Sequence, residues 1–127
     1  MSAYLDTHAA VRLAHGDLAS ISQKAIDVIR NTDLLISPMV LLELEYLFEI
    51  KKEISLSADD LRRKLEFELS VRVCEIGFQT VTAIAAGEKW TRDPFDRIIV
   101  AHAKANGLSP LISADRLILQ NYPRTVW

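Results

Sequence analysis

The feature that most constrains the fold is a short apolar run that recurs and closes on a hydroxyl or a carboxylate. It appears as "AYLD" at residues 3–6, "DLLISP" at 33–38 and "PLISAD" at 110–115. Runs of this length, bounded by turn formers and lacking polar alternation, read as strands buried on both faces, the habit of a parallel sheet. "VRVCEI" at 71–76 is a further strand candidate, and the terminal "TVW" a short edge strand. Helical periodicities fill the intervals: Thr7 to Ala14, Ser20 to Asn31, Pro38 to about Lys52, Ala58 to Leu69 behind a Ser57 cap, Gln79 to Ala86 before Gly87, and Pro94 to Asn106 before Gly107. Strands alternating with helices predict an α/β fold with a mainly parallel sheet covered on both faces. At 127 residues, with no repeat or linker-like tract, the chain is expected to form one domain over 1–127.

Composition narrows the function classes. Half the residues are hydrophobic and a quarter charged, ordinary globular usage, and no uncharged apolar run approaches the ~20 residues of a bilayer span. The first residues, "MSAYLDTH", carry no basic segment followed by an apolar one, so a cytoplasmic location is expected. The formal net charge of −2 supplies no global basic field for nucleic acid; any such role needs local devices. The basic cluster Arg62, Arg63 and Lys64 is followed by Glu66 and Glu68 and reads as a solvated helix face. Cys74, the only cysteine, reads as a small buried thiol.

Open α/β sheets bind ligands beyond the carboxyl ends of their strands, so the acids placed there matter most. Asp6 closes the first strand. Ser37 closes the second and leads into the helix carrying Glu43; Asp115 follows the strand ending at Ser113. In "TRDPFDRIIVAHA", Asp93 is a good N-cap, Pro94 suits the first helical position and Asp96 falls where a capping-box acid would sit. Yet Asp96 shares its helical face with Ile99, Val100 and Ala103, while Arg97 and Lys104 mark the expected solvent side. Glu43 similarly lies with Met39, Val40, Leu47 and Ile50, opposite a stripe of Glu45, Glu49 and Lys52 that reads as solvated, the last two close enough to pair.

Each acid also has a local explanation. Asp6 and Asp115 can cap the helices that follow them, and Glu43 can be a hydrogen-bonded acid at a helix margin. Convergence is what distinguishes them: four carboxylates from separate elements at one sheet end repel one another unless a divalent cation neutralises them. Carboxylate oxygens suit Mg²⁺ or Mn²⁺. His8 follows Asp6 closely enough to reach the same mouth, whereas His15 and His102 read as structural or exposed. No HExxH, GxGxxG, P-loop or GxSxG pattern is present.

In order and spacing, "YLDTH", "ISPMVLLEL", "DPFDRIIVAHA" and "LISAD" resemble the PIN-domain nucleases, most closely the VapC-like ribonuclease toxins of toxin-antitoxin modules. The resemblance spans essentially the whole chain. It implies a Rossmann-like three-layer α/β/α sandwich and an acidic pocket for Mg²⁺ or Mn²⁺ formed by Asp6, Glu43, Asp96 and Asp115, with Asp6 and Asp96 as chief ligands. Thr7, Ser113, Arg97 and His8 become candidates for supporting or substrate contacts. Ser113 stands where the family commonly has Thr and keeps a hydroxyl; His102 stands where close relatives often have Gln. The activity so implied is metal-dependent hydrolysis of RNA, with a small antitoxin and a second copy of the chain as partners. Two other readings stay open: an acid-rich α/β domain whose strand-end Asp accepts phosphate, and a PIN-like scaffold that binds RNA or protein without cutting.

Overall fold

The computed structural model describes residues 1–50 and 54–127. In chain order the elements are β1 (Ser2–Leu5), α1 (Thr7–Ala14), α2 (Gln23–Asn31), β2 (Asp33–Ile36), α3 (Pro38–Ile50), α4 (Ala58–Leu69), β3 (Arg72–Val73), α5 (Phe78–Ala85), α6 (Pro94–Ala105), β4 (Leu111–Ile112), α7 (Arg116–Asn121) and β5 (Thr125–Val126). The strands form one all-parallel sheet in the order β3-β2-β1-β4-β5. The expected α/β sandwich is therefore what forms.

β1 is the centre of the sheet. It pairs along its whole length with β2, Ser2 opposite Asp33 through Leu5 opposite Ile36, and on its other side Tyr4 and Leu5 face Leu111 and Ile112. Ala3, Tyr4 and Leu5 are completely buried, which explains why this strand reads as a continuous apolar run rather than an alternating one. Tyr4 brings a hydroxyl into that core. It donates to Cys74 Sγ at 2.8 Å and accepts from Asn106 Nδ2 at 3.0 Å, so the buried polar atom is satisfied. Burial pushes the Tyr4 phenol well above its ordinary range, and the Cys74 contact adds to the effect. Cys74 is the buried thiol its surroundings suggested.

Several boundaries differ from expectation, each for a local reason. α2 starts at Gln23 because the Ser22 hydroxyl accepts from the Ala25 amide and caps it there. "VRVCEI" contributes only two ladder residues: Ser70 ends α4 in a left-handed conformation and the Val71 amide still bonds back to Leu65, while Cys74 sends one last bond to the Ile36 carbonyl. α5 begins at Phe78, behind Gly77. The predicted end of α3 at Lys52 and the Glu49–Lys52 pair fall outside the described residues.

Two side chains assigned to solvent have internal work. Glu45 is half-buried, and its Oε1 accepts from the Ala58 amide at 3.1 Å, so it helps cap α4 together with Ser57. Lys104 pairs with Oε1 of Glu88, which is only 4% exposed, and lies 5.9 Å from the Tyr122 ring; Trp90 Nε1 donates to the other Glu88 oxygen at 2.6 Å. The periodicity of α6 put Lys104 on the solvent side, but the segment after α5 folds a buried carboxylate against it and leaves it half-buried. Ile50, grouped with the inward face of α3, is instead 53% exposed. The cluster read as a solvated helix face carries surface ion pairs: Arg62 with Asp59 and Glu66, and Arg63 with Asp59.

Removing one partner of a buried ion pair strands the other, so Lys104→Met should lower unfolding free energy by about 3 kcal/mol in urea titrations, with unchanged m-value. Lys104→Arg should recover most of the loss.

Candidate active site

The chain leaves β1 outward to β2 and β3, then returns to the opposite flank of β1 with β4 and β5. Strand order thus reverses between β1 and β4, the place where an open sheet parts to leave a crevice at its carboxyl end. Asp6 follows β1 and Asp115 follows β4, on the two banks of that crevice.

Asp6 is the N-cap of α1: its Oδ1 accepts from the Ala9 amide at 2.8 Å. The carboxylate is only 5% exposed. Burial pushes its pKa upward, offset in part by the Ser113 hydroxyl and the Ala9 amide. Asp115 is exposed and caps α7, accepting from the Ile118 amide at 3.1 Å, while its own amide bonds to Ser113 Oγ at 3.1 Å. Ser113, fully buried, therefore serves both acids.

Glu43 reaches the same place from α3. It is half-buried, and its Oε1 accepts from the Thr7 hydroxyl, which joins the middle of α3 to the first residue of α1. Burial raises its pKa first of all, with the Thr7 bond opposing and Asp93 adding to the rise. Asp96 is half-buried on the first turn of α6, above Ile99, Val100 and Ala103, all completely buried. Its carboxyl is pushed up to about 7, by burial first and then by Asp93, Asp115, Glu43 and Asp6 in turn. Asp96 therefore feels all three of the other sequence-selected acids, and no basic side chain pairs with any of the four among the described residues.

Asp93 has a larger part than the sequence assigned to it. It is the expected cap of α6, accepting from Phe95 N at 2.8 Å and Asp96 N at 3.4 Å, but it is also the strongest charged neighbour of Asp96. The "DPFD" spacing contains that signal, because a cap and the residue three positions later necessarily share one helical turn. Arg97, expected on the solvent side, is half-buried and gives its Nε to the Thr91 carbonyl at 2.8 Å, fastening the segment ahead of α6. His8 is exposed and near enough to favour ionisation of both Asp6 and Glu43. His102 is not exposed: it is 2% accessible, with Nδ1 2.8 Å from Ser37 Oγ.

A hard divalent cation suits this donor set. All the donors are carboxylate oxygens, Asp6, Glu43 and Asp96 are each raised by burial and then by neighbouring acids, and among the described residues none of the four is paired with a basic side chain. Among the described residues no three acids, histidines or cysteines are grouped tightly enough to enclose an ion alone.

The sequence matches the PIN domain family over residues 3–122. The chain belongs to the PIN domain family. Members of this family typically use divalent metal ions. No curated protein matches the sequence. Among solved structures, the PIN domain described here is similar to a chain of VapBC2 from Rickettsia felis bound to a DNA fragment from their promoter, with 18% identity, a TM-score of 0.62, and coverage of 99% of this chain and 96% of that one. It is similar also to a toxin-antitoxin complex from Klebsiella pneumoniae, with 19% identity, a TM-score of 0.61, and coverage of 98% and 96%. A third likeness is VapBC-1 from nontypeable Haemophilus influenzae, with 16% identity, a TM-score of 0.54, and coverage of 98% and 92%. Among the described residues no helix is long and apolar enough to cross a membrane.

The Asp96 shift has a signed consequence for stability. With its native pKa at about 7 against an ordinary 3.8, the folded state binds more protons than the unfolded chain between those values. Metal-free stability must therefore fall as pH rises through that window. Asp96→Asn removes the penalty: Tm of the metal-free protein should rise at pH 8 by about 3 °C or more, a shift that ~1 kcal/mol produces in a domain this size, with the gain shrinking towards pH 4. Calorimetric scans across that pH range check it.

Proposed function

We propose that this PIN domain is a VapC-like endoribonuclease that hydrolyses RNA phosphodiesters with Mg²⁺ or Mn²⁺. The observation that carries the reading is Asp96, half-buried and raised to about 7 by that burial first and then by the surrounding acids, with no basic side chain paired to it among the described residues. Four acids so placed at the topological switch point destabilise one another unless the site is used for a positive ion.

When bound, the divalent ion would supply a water acidic enough to attack a phosphodiester and positive charge to stabilise the transition state. Asp6 and Asp96 are assigned as its principal ligands, one fixed by the α1 cap and the other by the first turn of α6. Glu43 and Asp115 complete the pocket. Thr7 holds the Glu43 carboxylate by its Oε1, leaving Oε2 for an ion or its water, and Ser113 keeps the Asp6 and Asp115 banks in register. His8, exposed at the rim, is assigned to an RNA phosphate near the acids. Arg97 is the weaker candidate for such a contact, because its Nε is already committed to Thr91.

As a toxin, the protein would work in the cytoplasm beside a small antitoxin and as a homodimer. The likeness to chains of VapBC complexes supports the antitoxin, and exposed apolar side chains such as Leu42, Tyr46 and Phe67 provide surface for partners. The intact protein should cut a single-stranded RNA in Mn²⁺, and EDTA should stop it. Asp6→Asn keeps an oxygen able to cap α1 while removing the charge, so a folded variant with activity lowered at least about 100-fold is expected; wild-type turnover in Asp6→Asn or Asp96→Asn would refute the assignment.

A further inference from the structure

The geometry points to a two-point clamp between α3 and α6 that sets the separation of Glu43 and Asp96, with Ser37 and His102 as positioning residues at one end and Tyr46 and Phe95 at the other. The inference rests on the metal-dependent reading of the acidic pocket and concerns how this chain shapes it.

Sequence order along the two helices is the first part of the argument. Ser37, immediately before α3, meets His102 near the end of α6, their side chains 2.8 Å apart. Tyr46, in the second half of α3, stacks on Phe95 at the start of α6, with ring centroids 5.9 Å apart and planes 29° from parallel. The helices are thus matched in opposite directions. Glu43 lies between the two ties on α3, and Asp96 lies between them on α6. A clamp that brackets both carboxylates fixes their relative position along the helix axes.

The Ser37–His102 end is built to be rigid. Ser37 is completely buried and His102 nearly so. The Ser37 oxygen already accepts from the Met39 amide at 3.1 Å, which anchors the start of α3, and its hydroxyl proton has no other side-chain acceptor among the described residues than His102 Nδ1. Nδ1 and the hydroxyl are tied whichever of them carries the proton, while Nε2 is buried without a hydrogen-bond partner among the described residues. Burial lowers the imidazole pKa and favours the neutral ring, against the pull of the Ile98 and Ile76 carbonyls. A hydrocarbon at position 102 could fill the space but could not hydrogen-bond to Ser37. The same side chain thereby joins the cap of α3 to α6, so losing it frees one helix to slide on the other.

Small slides are sufficient to matter. One residue of helix advances ~1.5 Å, whereas metal ligands hold their distances to about 0.2 Å. Groups that orient ligands without touching the ion commonly change affinity by about 10–100-fold when removed.

The test is made on the full-length protein with Mn²⁺ alone, by calorimetry, and then with a single-stranded RNA. His102→Leu is expected to weaken Mn²⁺ binding about tenfold and to lower kcat with little change in KM for RNA, while His102→Gln, able to hydrogen-bond to Ser37 as donor or acceptor, restores both. A purely packing role would lower Tm and leave the Mn²⁺ affinity of the folded protein unchanged, and that result would overturn the clamp. Should His102→Leu fail to fold, Tyr46→Ala at the exposed end carries the test: weaker Mn²⁺ binding supports the clamp, and unaltered binding refutes it. Wild-type protein that neither binds Mn²⁺ nor cuts RNA overturns the nuclease reading and this inference together; wild-type activity with unaffected variants overturns the clamp alone.

Discussion

The acidic end of this protein depends on the hydrogen-bonding of β1 to a neighbour on each side. Because β2 and β4 both run parallel to it, the residues that follow all three strands emerge at the same edge of the sheet. Asp6, Ser37 and Ser113 are those residues, and all are buried. Parallel pairing therefore gathers the polar groups before any side chain chooses a partner. The continuous apolar run of β1 makes the pairing unavoidable, since Ala3, Tyr4 and Leu5 can be hidden only with a sheet neighbour on each flank and cover on each face.

Once gathered, the acids are held by backbone amides. Asp6, Asp93 and Asp115 each cap a helix, so each accepts hydrogen bonds from the positive end of a helix dipole. That compensates part of the repulsion and lets the protein fold with the pocket formed. Among the described residues Asp96 and Glu43 lack a backbone partner of this kind: one sits in the first turn of its helix, and the other is held by the Thr7 hydroxyl. Burial first, and then the charges of Asp93, Asp115, Glu43 and Asp6, displace the Asp96 carboxyl upward, and no capping amide opposes them among the described residues. Capping and ligation are compatible demands on one carboxylate, because a cap uses a single oxygen lone pair and leaves the second oxygen free.

This division also explains what could be read in the sequence. Strand-closing acids were legible because local order fixes them: a strand end followed by a helix start puts Asp6 and Asp115 at the sheet edge whatever the rest of the chain does. Helical period placed Asp96 above Ile99, Val100 and Ala103 and Glu43 beside Val40 and Leu47. Contacts made by folding distant segments together were not legible. Lys104 has the position of a solvent residue until Glu88 arrives from the preceding segment, Glu45 does so until α4 begins against it, and nothing near His102 announces Ser37. Asp93 was half-read, as a cap whose charge on Asp96 comes from the same turn.

The pairing of Tyr4 with Leu111 has a consequence for the order in which the protein comes into being. β1 leaves the ribosome well before β4, so the crevice between them has only one bank until β4 follows. Contacts this distant in sequence are entropically slow to close. A nascent or truncated chain ending before β4 could display Asp6, Glu43 and Asp96 yet would have no Ser113 to register the first of them and no opposing bank for a substrate strand. Assembly of the acidic crevice therefore waits for β4, whatever else of the chain has already folded.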